Sequence, residues 1–166
     1  GDSFQVVVDR PEYALTIAIA LRAKLKAETP DGQKLWDARL AVGVGEISFE
    51  SDNIVTSDGE AFRLSGHSLD HIGKKRLNIS TPWPDFNTDI ELVTRFADDL
   101  ITSWTAKQAR VVYQSILFPK LQKDLAEELD MTRQNFNYHW SSARGQLILD
   151  YVEYFKSLIS KYVRCW

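Results

Sequence analysis

The stretch DLAEELDMTRQNFNYHWSSA, Asp124–Ala143, gathers side chains that can hydrogen-bond to the edge of a planar base. Leu125 and Leu129 fall at i and i+4, so they share one face of a helix, and Ala126 is small where a second helix would approach. The dipeptide Asp130-Met131 breaks the pattern, with Met131 as an apolar plug. Thr132 stands where it can cap a second helix, whose Phe136, Trp140 and Ala143 turn inward. In that register Arg133, Gln134, Asn137, Tyr138 and Ser141 point outward. Arg, Gln and Asn form the paired hydrogen bonds that tell guanine from adenine in a major groove. Thr132 heads this set. Gln122 and Lys123, with Lys120 before them, open the first helix, where contacts to phosphate would fix the unit's register. A turn of this kind often carries Gly. Asp130 stands here instead, and Asp tolerates the left-handed conformation better than most residues. The competing reading is the solvated face of an ordinary helical hairpin.

Other groupings carry less chemistry. His67 and His71 lie at i and i+4, a spacing that can hold zinc, but no cysteine or further histidine joins them and a solvated helix face is the simpler reading. His139 lies within the second helix, where it either meets a phosphate or faces solvent. GVGE is too short and wrongly placed for a phosphate-binding loop. The five tryptophans, at 36, 83, 104, 140 and 166, are scattered as packing residues would be. Ser, His and Asp are present, but no nucleophile motif organises them.

Positioning these groups needs a framework, and 166 residues suffice for one medium domain or two small ones. The composition is that of a soluble globular protein, with no apolar run long enough to cross a bilayer and no signal peptide at the start. The single cysteine, Cys165, cannot form an internal disulfide and fits a cytoplasmic location. The net charge of −3 is uneven. Residues 1–105 carry 11 Lys/Arg against 17 Asp/Glu, and residues 106–166 carry 9 against 6. The acidic whole argues against indiscriminate nucleic-acid binding, while the basic last third permits docking on phosphate through a local face. The sequence begins with GDSFQVVV, without Met and already inside a strand pattern, as a fragment would.

Along the chain, Phe4–Asp9 reads as a strand. From Pro11 a helix follows, with Ala14, Ile17, Ala18, Leu21 and Leu25 as its apolar face. Asp37–Ser51 reads as a strand in which Gly43 and Gly45 mark a bend or a close backbone approach. A helix stopped near Gly73 and a short strand in RLNIST complete a mixed first half. From Asp85 onward the pattern is helical throughout, with Thr105 as an N-cap. The last helix carries Leu147, Ile148, Tyr151, Val152, Phe155, Leu158, Ile159 and Tyr162 on a stripe too wide for a helix lying in water. That stripe must cover the preceding helices, pack on the first half or pair with a second copy.

The segment QKDLAEELDMTRQNFNYHWSSA, preceded by WTAKQARVVYQSIL, resembles the helix-turn-helix of LuxR-type regulators and of the sigma-factor region that reads promoters, which implies binding of double-stranded DNA with the helix from Thr132 in the major groove. Upstream, GDSFQ, ARLAVGVGEI and DGEAFRLSGHSLD resemble the class III nucleotide cyclase fold in order and spacing. With WTAKQ and the helix-turn-helix, the chain over nearly its whole length resembles the bacterial SatD family. The resemblance implies an α+β fold in two parts. A truncated, ferredoxin-like (cyclase-like) domain over 1–84, lacking its first strand and helix, is followed by a connecting helix over 85–104 and an all-α helix-turn-helix domain over 105–166. It further implies that Asp2 is one of two metal-binding aspartates, for Mg²⁺ or Mn²⁺ with a nucleotide, and that Arg63 could grip a phosphate. Active cyclases carry Asn and, four residues on, Arg where this chain has Arg63 and His67, which argues against cyclisation and leaves no catalytic residue assigned. The expected function is a DNA-binding transcriptional regulator with a non-catalytic sensing or assembly domain, acting singly or as a homodimer and away from membranes. The alternatives are a cyclase-like enzyme acting on ATP or GTP, and an adaptor whose helix-turn-helix docks a protein.

Overall fold

The computed structural model describes residues 4–48 and 58–163. The chain is an α+β protein dominated by helices: a 3-10 turn at Pro11–Tyr13 leads into α1 (Ala14–Ala27), followed by β1 (Leu40–Gly43), β2 (Ile47–Ser48), β3 (Asp58–Gly59), α2 (Glu60–Asp70), β4 (Leu77–Ser80), α3 (Pro84–Ser103), α4 (Ala106–Leu117), α5 (Gln122–Glu128), α6 (Arg133–Ser142) and α7 (Gly145–Val163). It falls into two compact units, each discontinuous in sequence. One takes the described parts of 1–14, 39–95 and 155–166; the other takes 15–38 and 96–154.

In the first unit β1 and β4 pair in parallel, Leu40 opposite Leu77 through Gly43 opposite Ser80, with α2 in the connection between them. β2 and β3 pair antiparallel through Ile47–Gly59 and Ser48–Asp58. The strand expected over Asp37–Ser51 is therefore split, and its residues 49–51 lie outside the described residues. The glycines explain the break. A Cβ on Gly43 would stand 2.2 Å from the Ala61 carbonyl oxygen, and one on Gly45 would stand 2.9 Å from Glu60 Oε2, so the backbone lies directly against α2 there. The strand expected at Phe4–Asp9 is not formed: among the described residues no strand lies beside it, and a β-branched run without a neighbour has no ladder to join. Phe86 meets Phe155 and Tyr162 edge-on at 6.0 and 5.6 Å, and Tyr162 lies 5.3 Å from the Trp83 ring, so the end of α7 closes this unit with aromatic packing.

In the second unit, α1 does not present the face its apolar periodicity suggests. Leu15, Ala18, Ile19, Arg22, Ala23 and Lys26 are buried, whereas Ile17, Leu21 and Leu25 are half-buried. The reason is electrostatic. Arg22 grips the Asp37 carboxylate with two bonds of 2.9 Å, reaches Asp98 Oδ1 at 2.6 Å and donates to Thr102 Oγ1 at 2.9 Å. Lys26 Nζ lies 3.4 Å from Asp37 and donates to the Thr102 carbonyl at 3.0 Å. Two cations and two carboxylates so neutralise one another beneath the surface. Burial alone would raise the Asp37 pKa, but Arg22, Lys26 and the Ala38 amide outweigh it and hold the carboxyl below its ordinary value.

On α7, Ile148, Tyr151, Val152, Phe155, Leu158 and Ile159 are buried within the single chain, as the width of the stripe requires. Leu147 is not. It lies about 100° around the helix from Ile148, off the buried stripe, and is exposed.

Candidate nucleic-acid interface

The α5–α6 segment folds from its own local chemistry. α5 ends where Asp130 takes φ +53°, with the Asp130 amide donating to the Glu127 carbonyl at 3.0 Å and the Met131 amide to the Ala126 carbonyl at 2.9 Å. That pair of bonds is the Schellman closure of a helix, here with Asp in the place Gly usually takes. Two residues later the Thr132 hydroxyl accepts from the Asn135 amide at 3.1 Å and starts α6. Val111 of α4 joins Leu125, Ala126, Leu129 and Phe136 in a buried cluster, against which Met131 and Trp140 are packed. The small residue at 126, the plug at 131 and the inward ring at 136 hold the places read from the sequence; Trp140 is half-buried rather than fully enclosed.

Two further joints fix this unit. Thr105 caps α4 reciprocally, its hydroxyl accepting from the Gln108 amide at 3.3 Å while the Gln108 side chain accepts from the Thr105 amide at 2.8 Å. Trp104 is buried and its indole donates to the Ala143 carbonyl at 2.9 Å, tying the end of α6 to the start of α4. α6 passes into α7 through Ala143 and Arg144, the latter at φ +56°. Gly145 follows, and a Cβ there would lie 2.2 Å from the Trp140 ring.

Of the expected contact residues, Gln122, Lys123, Thr132, Arg133, Gln134, Tyr138 and Ser141 are exposed. The hydroxyl of Thr132 is already engaged in the cap. Tyr138 meets His139 edge-on at 5.3 Å. Asn137 departs from the expectation of an outward amide. Its side chain is half-buried, and Oδ1 is fully enclosed without a hydrogen-bond partner. Lys120 is exposed but ion-paired with Glu128, so its charge is already partnered. Burial, and secondarily the charge of Lys107, holds the His139 imidazole below its ordinary pKa, so it brings no positive charge to this surface at neutral pH. Residues 120–144 carry four Lys/Arg (120, 123, 133, 144) against four Asp/Glu (124, 127, 128, 130), so the segment is electrically balanced.

The cyclase resemblance implies two nucleotide-handling residues. Asp2 lies outside the described residues, and Arg63 is exposed on α2 in the other unit, where it has an interaction of its own. Among the described residues no three carboxylate, imidazole or thiol groups converge on a point that could hold a metal ion. His67 and His71 stack at 4.3 Å, with His71 Nδ1 2.8 Å from the His67 carbonyl oxygen. The reading from sequence missed the Arg22–Asp37–Asp98–Lys26 cluster. Its one trace is that Arg22 and Lys26, at i and i+4, interrupt an otherwise apolar face. Among the described residues no helix is long and apolar enough to cross a membrane. Comparison with protein-family models, with curated proteins and with solved structures returned no match.

Proposed function

We propose that the chain is a SatD-type, cytoplasmic, DNA-binding transcriptional regulator whose α6 enters the major groove of a duplex. The observation that carries this reading is one of register. The same turn that buries Leu125, Ala126 and Phe136, with Met131 packed against them, leaves Arg133, Gln134, Tyr138 and Ser141 exposed along α6, with Gln122 and Lys123 exposed at the start of α5. The first unit is, in this reading, a cyclase-related ferredoxin-like fold that senses a nucleotide or mediates assembly without turnover; the parallel β1–α2–β4 crossover supports it. Two copies would present two α6 helices to two half-sites.

The electrical balance of residues 120–144 and the exposure of Leu121 and Tyr138 favour a second reading, an adaptor whose α5–α6 surface docks a protein. Selection of bound duplexes from a random pool, with and without ATP or GTP and Mg²⁺, separates the two. Enrichment of a defined sequence supports the regulator, and a nucleotide-dependent change in enrichment supports the sensing role. Retention of no duplex at low ionic strength refutes the regulator, and hydrolysis or cyclisation of the nucleotide would return the enzyme alternative.

A further inference from the structure

α2 ends in a pair of histidines that spacing alone leaves as a solvated face. His67 and His71 are both exposed, and their rings lie face to face with centroids 4.3 Å apart. His71 Nδ1 stands 2.8 Å from the His67 carbonyl oxygen. A carbonyl only accepts, so Nδ1 carries a proton, and in the neutral ring Nε2 keeps its lone pair. That is how proteins hold an imidazole that ligates a metal: the other ring nitrogen donates to a backbone carbonyl, which fixes tautomer and orientation.

The place on the helix adds to this. His71 is the C-cap of α2, at φ −103°, so the pair straddles the last turn, where the helix dipole presents its negative end to a cation. The exposed Asp70 carboxylate lies in the same turn. Of the cations nearest in sequence, Arg63 has an interaction of its own and Lys75 reaches Glu91 at 3.9 Å. Cβ atoms four residues apart on a helix stand about 5–6 Å from one another, the spacing at which two imidazoles share one zinc ion in helical metal sites. Stacked rings do not aim both lone pairs at one point. Turning the His67 ring about χ2, a broad and soft torsion, brings its nitrogen round.

We propose that His67 and His71 form a binding place for a borderline divalent transition cation, of the class Ni²⁺, Zn²⁺ and Cu²⁺, on the last turn of α2. Imidazole nitrogen selects these ions over Mg²⁺, Ca²⁺ and Mn²⁺, which take oxygen ligands. The two imidazoles supply two ligand positions and water supplies the rest, in keeping with the exposure of both rings. Occupancy ties residue 67 to residue 71 and fastens the end of α2, the helix in the connection between β1 and β4. This place is separate from the one the cyclase resemblance implies for Asp2, and the inference does not rest on the DNA reading.

Isothermal titration of the full chain with Ni²⁺ alone tests it, with Mg²⁺ as the counter-probe. The expected result is one Ni²⁺ bound per chain, undisturbed by Mg²⁺. H67A and H71A should each weaken that binding by about tenfold or more, the loss that disturbing even an outer partner of a ligand causes. The doubly substituted H67A/H71A chain reports whatever His139 and Cys165, the remaining imidazole and thiol, bind on their own. Ni²⁺ should raise the thermal midpoint of the unsubstituted chain more than that of the double variant, because the folded α2 holds the two rings together. Circular dichroism checks that all three variants stay folded. Binding no stronger than that of the double variant overturns the proposal. So does binding that either single substitution leaves intact, or that Mg²⁺ displaces. One Ni²⁺ held between two chains overturns it as well, since a second copy and not water would then complete the site.

Discussion

Asn137 allows a prediction that ties the proposed reading surface to stability. Its Oδ1 is enclosed without a donor, and an unmet buried acceptor costs about 1–3 kcal/mol. Asn137→Ala removes that oxygen. Alanine also improves the helical propensity of α6 by roughly half a kcal/mol, while truncating a half-buried side chain gives up less than about 1 kcal/mol of packing. The balance is a gain of about 1–2 kcal/mol. In urea this moves the unfolding midpoint up by about 0.5 M or more at unchanged slope. Asn137→Asp is the control: it keeps the shape but puts charge on the enclosed oxygen, and it should destabilise. If the amide also reads a base, the stabilised alanine variant binds a selected duplex with its preference lost at one position, at a cost of about 1–3 kcal/mol against the preferred base. A midpoint that falls for the alanine variant would refute the claim that the free protein stores an unmet acceptor, whatever the binding result. A raised midpoint with an unaltered sequence preference would leave the stored strain intact and remove Asn137 from the base contacts.

The remaining expectations concern the framework. Arg22→Met strips the shared cation from Asp37 and Asp98 and should cost about 3–5 kcal/mol, as breaking one side of a buried ion pair does, seen as a lowered denaturation midpoint. Gly145→Ala drives a methyl group into the Trp140 ring and should cost about 1–3 kcal/mol, with a change in tryptophan emission reporting the displaced indole. The pH dependence has two limbs. Asp37 is held below its ordinary pKa, so the unfolded chain binds its proton first, and stability present above the ordinary carboxyl value is lost as pH falls below it. His139 is likewise held below its ordinary value, so stability falls on acidification through the window just under that value, and His139→Gln should flatten this limb in a thermal-melt series against pH.

What the sequence disclosed and what it concealed divide along a physical line. The α5–turn–α6 segment was legible because its determinants are local: the cap at Thr132 acts three residues away, the closure at Asp130–Met131 acts within one turn, and the buried ring at Phe136 follows from helical spacing. The glycine signal at 43 and 45 was legible for a similar reason, since only a missing side chain lets α2 approach so closely. The buried face of α1 was not legible. Arg22 reads as a surface residue until Asp37 and Asp98, 15 and 76 positions away, are brought beside it. The strand expected at Phe4–Asp9 failed because strand propensity describes one partner of a pair. The inward turn of the Asn137 amide has no pattern in sequence at all, because helical spacing fixes the direction of Cβ but not the rotation of the amide beyond it.

Charge sets the last constraint on how such a surface would work. A reader that grips many phosphates with lysine and arginine has an affinity that collapses with salt, at roughly −0.9 in log–log slope per neutralised phosphate. Residues 120–144 offer only Lys120, Lys123, Arg133 and Arg144, and Lys120 is spent on Glu128. At most about three phosphates are then neutralised by this segment, for a slope near −3 at its steepest. The rest of the backbone contact would have to come from uncharged donors such as the side chains of Gln122, Gln134, Tyr138 and Ser141, which release no counterions. A shallow slope combined with strong discrimination between duplexes is therefore the signature this surface should give. A slope of −6 or steeper, several units beyond the roughly −0.9 that each phosphate contributes, would require cations from elsewhere in the chain or from a second copy. It would move the centre of binding away from α6.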